Sequence, residues 1–199
     1  MQYNNAYKSQ PNETSMEKKE VTRKEIEAKL ENVGDYVKLD YLQNCLKKQI
    51  DFDTRRFVLV KLASIYESRK MYLEAAKVIR SAADINATFD AKMRDFLKST
   101  EFFIKAGYFD EADISLAKTL ASASENQKVA IKIKVKEYYN AQAKEFIRKD
   151  KRRHAMETYE KILELDLNPF EKKEVQTNLL SLYQKLGKIN EYFTLQRSM

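Results

Sequence analysis

A chain of 199 residues with 37 Lys and Arg against 30 Asp and Glu carries a net charge of +7, and its length suits one substantial core, a short solenoid or two small domains. Three Gly and two Pro are all that interrupt it, a scarcity of breakers that predicts an all-helical fold and few long loops. The single cysteine, Cys45, has no internal disulfide partner, no run approaches the roughly 20 apolar residues of a bilayer span, and the amino end lacks the basic-then-apolar layout of a secretion signal. The expectation is a cytoplasmic protein without membrane insertion.

Residues 1–15, rich in Asn, Gln, Ser and Tyr with Pro11, follow neither a strand nor a helix period and are expected to form a flexible tail, with Tyr3 and Tyr7 as its only anchors. Thr14-x-x-Glu17 has the form of a capping box, after which Val21, Ile26, Leu30 and Val33 keep a helical stripe to a stop at Gly34. Asp35 then opens a helix with Tyr36, Leu39, Leu42, Cys45, Leu46 and Ile50 inward, Cys45 acting as a small buried hydrophobe. Helices are predicted next over about 54–69, 71–85, 90–106 and 108–123, each with apolar residues three and four apart. Ser124-x-x-Gln127 opens the longest segment, about 125–149. Within it Val129, Ile131, Ile133 and Val135 alternate as in a half-buried strand, but no breaker follows and a lone strand would have no partner, so a helix is expected. Asn168-Pro169-x-Glu171 is the clearest helix start, leading to helices over about 169–186 and 189–197.

One segment organises these helices. In Ala106-Gly107-Tyr108-Phe109-Asp110-Glu111-Ala112 the glycine is suited to the left-handed conformation that ends a helix, Asp110 to capping the next, and Ala112 to a close helix crossing. Gly34, Gly107 and Gly187 each precede by five residues a candidate contact position, Leu39, Ala112 and Tyr192, and the same register runs without glycine through Leu62-Ala63-x-x-Tyr66 into Tyr72-x-x-Ala75.

This pattern resembles the tetratricopeptide repeat, with Ala75, Ala112 and Ala155 in its small-residue slot. Phe96, Phe103, Phe109 and Leu116 fit one unit, Tyr139, Ala143, Phe146 and Tyr159 the next, and Leu179, Leu180, Tyr183 and Ile189 the last. Tryptophan is absent, Ser99-Thr100 stands where the family has Leu-Gly, and the units are spaced by 36, 37, 43 and 37 residues, so the likeness is to a diverged member. It implies a right-handed α-solenoid of about five antiparallel hairpins, 17–50, 54–86, 90–123, 125–166 and 169–198, in a single domain over 16–199. Ligands of that family lie against the first helix of each pair. Transferred slot by slot, that face carries Arg94, Leu97, Lys98, Glu101 and Lys105, then Asn140, Lys144 and Arg148, then Thr177, Ser181 and Lys185. The Asn and Lys arrangement of a two-carboxylate clamp is not reproduced.

No GxGxxG, GxxxxGK[ST], nucleophile-elbow serine or HExxH occurs. His154, behind Lys151-Arg152-Arg153, reads as a solvated turn residue with no Cys or second His to complete a metal site. No enzyme activity, cofactor or metal is expected. Charge is the stronger signal: residues 128–153 hold ten basic against three acidic residues, a net +7 equal to that of the whole chain. Lys128, Lys132 and Lys136 fall on one helix face, and Lys151, Arg152 and Arg153 close the stretch. Three readings are open: an ordinary solvated helix, a groove for acidic protein segments, or an electrostatic surface for RNA or DNA. The leading expectation is an interaction scaffold; the alternatives are a nucleic-acid-associated repeat protein and a helical spacer in a larger assembly.

Overall fold

A computed structural model describes residues 22–199, and every regular element in it is a helix: α1 (Arg23–Leu30), α2 (Asp35–Leu46), α3 (Phe52–Ser68), α4 (Tyr72–Asp84), α5 (Phe89–Ala106), α6 (Phe109–Ala121), α7 (Glu125–Arg148), α8 (Arg152–Leu163), α9 (Pro169–Leu186) and α10 (Ile189–Arg197). The expected tail over 1–15 and the Thr14/Glu17 capping box lie outside the described residues. The described start of α1 is Thr22, whose amide donates to Glu25 Oε2 at 3.0 Å while its hydroxyl accepts from the Glu25 amide.

Two kinds of junction alternate along the chain. The odd-numbered helices begin at capping side chains. Asp51 accepts from the Thr54 amide at 2.8 Å, Thr88 from Ala91, and Asn168 from Glu171, while Ser124 donates its amide to Gln127 Oε1 at 2.8 Å. Such caps satisfy amides that the first helical turn leaves without partners. The even-numbered helices α4, α6, α8 and α10 have no side-chain cap and instead follow a tight elbow.

That elbow is built four times in the same way. Lys70, Gly107, Asp150 and Gly187 take left-handed φ values of 59°, 79°, 53° and 68°. The next amide donates five residues back, from Met71 to Tyr66, Tyr108 to Phe103, Lys151 to Phe146 and Lys188 to Tyr183, at 2.8–2.9 Å. This is the Schellman closure of a helix end, and each accepting residue is a buried aromatic. Five residues after the left-handed one come Ala75, Ala112, Ala155 and Tyr192, of which the three alanines are fully buried.

Three local expectations are corrected. Asp110 does not cap α6: Tyr108 is the N-cap, and Asp110 lies in the first turn, where its charge complements the helix dipole. Gly34 is not a left-handed stop; α1 ends four residues earlier, Asn32 takes the positive φ of 55°, and Gly34 caps α2 in an extended conformation. Tyr36 points outward at 75% exposure, with the Arg69 guanidinium 3.9 Å from its ring centre. Cys45 is buried, as expected of a structural thiol.

The helices pack in sequence, α2 on α3, α3 on α4, α4 on α5 and α5 on α6, then α7 on α8, α8 on α9 and α9 on α10. Cross-links also run between alternate helices. Lys98 of α5 reaches Glu67 of α3 at 2.9 Å and Lys136 of α7 reaches Glu171 of α9 at 3.0 Å. Arg80 of α4 bonds Glu111 of α6, Lys118 of α6 bonds Asp84 of α4, and Lys161 of α8 bonds Asp113 of α6. The odd and the even helices are therefore joined as two layers.

From α2 onward the sequence of packed neighbours is interrupted once, between α6 and α7; α7 leans on α5 instead. The cause is length. The 43-residue spacing is absorbed by making α7 24 residues long, six more than α5 or α9. With the elbow at Asp150 held in register, the surplus falls at the start of α7, where Val129 is exposed.

Candidate functional site

The odd-helix layer carries the residues of the candidate groove. On α5, Glu101 is the hub of an ion-pair network: Lys105 donates to it at 2.5 Å and Lys98 at 3.2 Å, while Lys98 also holds Glu67. Only 13% of the Glu101 side chain is exposed. Burial alone would raise its pKa, but the hydrogen bonds and charges of Lys105 and Lys98 bring it below the ordinary carboxylate value. The ammonium groups also lie over aromatic rings, Lys98 at 4.5 Å from the centre of Phe102 and Lys105 at 5.4 Å from that of Tyr72, contacts that stabilise a cation held out of bulk water.

This network forms one wall of a groove of about 700 Å³ between α5 and α7, closed at one end by the elbows before α4 and α8. Lys70 and Lys151 stand at those elbows, and Tyr138, Gln142, Glu145 and Phe146 supply the facing wall. Burial, then the charges of Glu101 and Glu137, push the Tyr138 phenol up to about 12, so at neutral pH it is a hydrogen-bond donor. Hydrogen bonds from Arg148 and Lys149 hold the partly buried Glu145 carboxyl down to about 2. A second hollow of about 450 Å³ lies between α7 and α9, lined by Asn140, Lys144, Leu167, Glu171, Glu174 and Val175.

The predicted face is thus divided. Glu101 and Lys105 line the first groove, with Lys98 behind them; Asn140 and Lys144 line the second. Arg148 pairs with Glu145 at 2.7 Å, Leu97 packs on the core, and Arg94, Thr177, Ser181 and Lys185 are exposed.

The basic stretch is not one surface. Lys128 pairs with Glu125, Lys136 with Glu171, Lys149 with Glu145, Arg152 with Asp150 and Arg153 with Glu157. Lys136 and Arg148 are also some 18 Å apart along α7 at about 1.5 Å per residue. Among the described residues Lys132, Lys134, Lys144 and Lys151 have no carboxylate within salt-bridge distance, and Lys132, Lys144 and Lys151 border three different hollows.

Sequence reasoning missed the hollow bordered by Lys132. Where α7 leaves α6, Leu116 and Leu120 face Val129, Ile133 and Val135 across a cleft of about 490 Å³, rimmed by Lys132, Lys136, Glu164 and Asp166. Val129 is 63% exposed, whereas Ile131 and Val135 are buried. The alternation of apolar residues over 129–135 was the available signal: on a helix it places apolar side chains on two faces, one of which borders the cleft instead of packing into the core.

Among the described residues no three His, Cys, Asp or Glu side chains gather as a metal site would, and no helix is long and apolar enough to cross a membrane. Comparison with protein-family models gives no match, and comparison with curated proteins gives no similar sequence.

Proposed function

We propose that this chain is a non-enzymatic interaction scaffold, a diverged tetratricopeptide-like solenoid of about five antiparallel hairpins that holds an extended or helical segment of a partner protein against its odd-numbered helices. The fourfold elbow, with a buried aromatic before it and a small residue after it in three of four cases, supports the repeat reading. The observation that carries the function is the groove between α5 and α7: about 700 Å³, open, with mixed aromatic and charged walls. Of its carboxylates, Glu101 and Glu145 are each already bonded to two cations; Glu74 alone remains to offset Lys70 and Lys151, which have no acidic partner among the described residues, so the lining keeps a small cationic excess. Such a lining favours a segment bearing Asp or Glu beside apolar side chains.

The test is affinity purification with the full chain as bait, mass spectrometry of what it retains, and titration of the recovered partner against Lys144→Glu/Lys151→Glu. Affinity falling at least about tenfold, roughly 1.4 kcal/mol, is the expected result. Unchanged affinity for a partner that nevertheless binds directly would remove these grooves as the site.

A further inference from the structure

One buried side chain in the groove wall lacks the partner its chemistry calls for. Gln142 of α7 is 8% exposed, yet its carboxamide makes no hydrogen bond among the described residues. Eight residues before the four left-handed elbow residues stand Leu62, Ser99, Gln142 and Leu179. Leu62 and Leu179 are 1% exposed, and the Ser99 hydroxyl donates to the Ala76 carbonyl at 3.1 Å. The fold thus fills this place with leucine in two units and with a satisfied hydroxyl in a third. A carboxamide buried there without a hydrogen bond only costs stability. Nor is it sealed away: among the described residues the fully enclosed side-chain atoms without partners are the Nε atoms of Arg56 and Arg69.

The amide opens onto the groove between α5 and α7. Tyr138, Gln142, Glu145 and Phe146 share one face of α7 by their spacing of three and four, and that face lines the groove. The Tyr138 hydroxyl likewise makes no hydrogen bond among the described residues. Four residues of helix set these two side chains about 6 Å apart along α7. On an extended chain the main-chain groups of one edge recur every second residue, about 6.6 Å apart. The two repeats agree. A helical segment offers no such match, because its main-chain groups are bonded internally except at its ends.

We infer that Gln142 fixes a partner segment in this groove by its main chain. Its carboxamide accepts from the N–H and donates to the C=O of one residue of an extended stretch, and the Tyr138 hydroxyl donates to the carbonyl two residues away. This rests on the reading of the groove as a site for a segment of another protein, and adds that the segment is extended there. α7 lines the groove from Tyr138 to Lys149, about 16 Å of helix, which suits about five extended residues at roughly 3.3 Å each. Main-chain bonds leave the side chains of the segment free to meet the cations Lys70 and Lys151 and the rings of Tyr72 and Phe146.

The probe is a set of short peptides selected by the full chain from a random displayed library, titrated against the natural chain, Lys151→Glu, Gln142→Leu and Gln176→Leu. Gln176 of α9 is the control: it is 6% exposed, also makes no hydrogen bond among the described residues, and does not line this groove. Gln142→Leu should weaken, by about tenfold or more, the peptides that Lys151→Glu also weakens, while Gln176→Leu leaves them within about twofold. Both leucine variants should keep or raise Tm, since leucine already fills the matching places, Leu62 and Leu179 for the one and Leu59 for the other. Methylating one backbone nitrogen of a selected peptide should weaken it about tenfold against the natural chain and less than about twofold against Gln142→Leu, the signature of two groups in contact. Peptides that need Lys151 but are indifferent to Gln142→Leu, or to every backbone methylation, overturn the inference and leave the groove to helical segments or to segments held by their side chains. A lower Tm for Gln142→Leu also overturns it, because the carboxamide is then engaged within the fold. If no peptide is selected, or Lys151→Glu weakens none of them, the groove is not a segment site and both readings fall.

Discussion

Lys70 and Gly107 hold the same left-handed turn, at φ 59° and 79°, in two elbows that close with matching hydrogen bonds. For an L-residue that conformation costs about 1–2 kcal/mol, so Lys70 is held there by the packing on either side. Lys70→Gly is expected to stabilise the fold by up to about 1 kcal/mol, the relief being partly offset by the greater chain entropy of glycine when unfolded. Gly107→Ala should cost about 1 kcal/mol from φ alone, because a Cβ at Gly107 would meet nothing within 4 Å. For a chain of this size that is a rise and a fall of about 2–4 °C in Tm, readable in paired thermal scans.

Ala112 follows its elbow by five residues and is fully buried, its amide bonded to the Tyr108 carbonyl at 3.0 Å. Ala112→Leu forces three carbons into a filled crossing and is expected to cost about 1–3 kcal/mol. At the equivalent position of α10 the chain carries Tyr192, which is only partly buried, so Tyr192→Leu should cost less than Ala112→Leu. Equal losses in urea titrations would mean that the elbows do not set equivalent crossings.

The distribution of charge on α7 predicts weak contact with nucleic acid. Six of the ten basic residues over 128–153 have carboxylates within salt-bridge distance, and the other four do not line a common surface. The few phosphates such a scatter can meet give a shallow salt dependence, about 0.9 log units of affinity per log unit of salt for each phosphate neutralised. Gel shifts with short RNA and DNA at micromolar protein should show retention at low salt only. A tight complex at physiological salt would shift the function to nucleic acid.

How far the sequence foretold this depends on how local each signal is. Asn168-Pro169-x-Glu171 and Gly187 bracket α9 with residues that act on the adjacent backbone alone, and its bounds agree with the expected 169–186. The turns at Lys70 and Asp150 carry no such mark, since nothing local drives Lys to positive φ; Tyr66 and Phe146, buried four residues earlier, are the tertiary anchors that hold them. Tyr36 failed as an inward residue because a helical stripe gives a period without its outer limit. Phe52, Phe89 and Phe170, each in the first turn of an odd helix, are at least 75% exposed, an arrangement that appears only once the helix starts are aligned. The groove residues were legible in register, but the carboxylates that engage Lys98, Lys105 and Lys136 come from both near and distant positions, so their neutralisation was not.

Glu101 ties acid stability to the groove wall. Its folded pKa lies below that of an unfolded glutamate: burial opposes ionisation, but Lys105 and Lys98 outweigh it. A depressed carboxylate pKa contributes stability that is complete above the unfolded value, about 4.3, and is lost as pH falls through the folded value. Glu101→Gln should therefore destabilise the fold at pH 7, leaving Lys98 and Lys105 without their shared carboxylate. The difference from the natural chain should shrink below pH about 4 as the carboxyl of the natural chain takes up a proton. Glu145, partly buried and held down to about 2 by Arg148 and Lys149, keeps its charge through most of that range, so Glu145→Gln should show its small effect almost unchanged from pH 7 to pH 4. Urea titrations of the three proteins from pH 7 to about pH 3 separate the two residues: the Glu101→Gln difference is expected to close at a higher pH than the Glu145→Gln difference, and a Glu101→Gln offset still flat below pH about 4 would mean that the network does not hold its proton off.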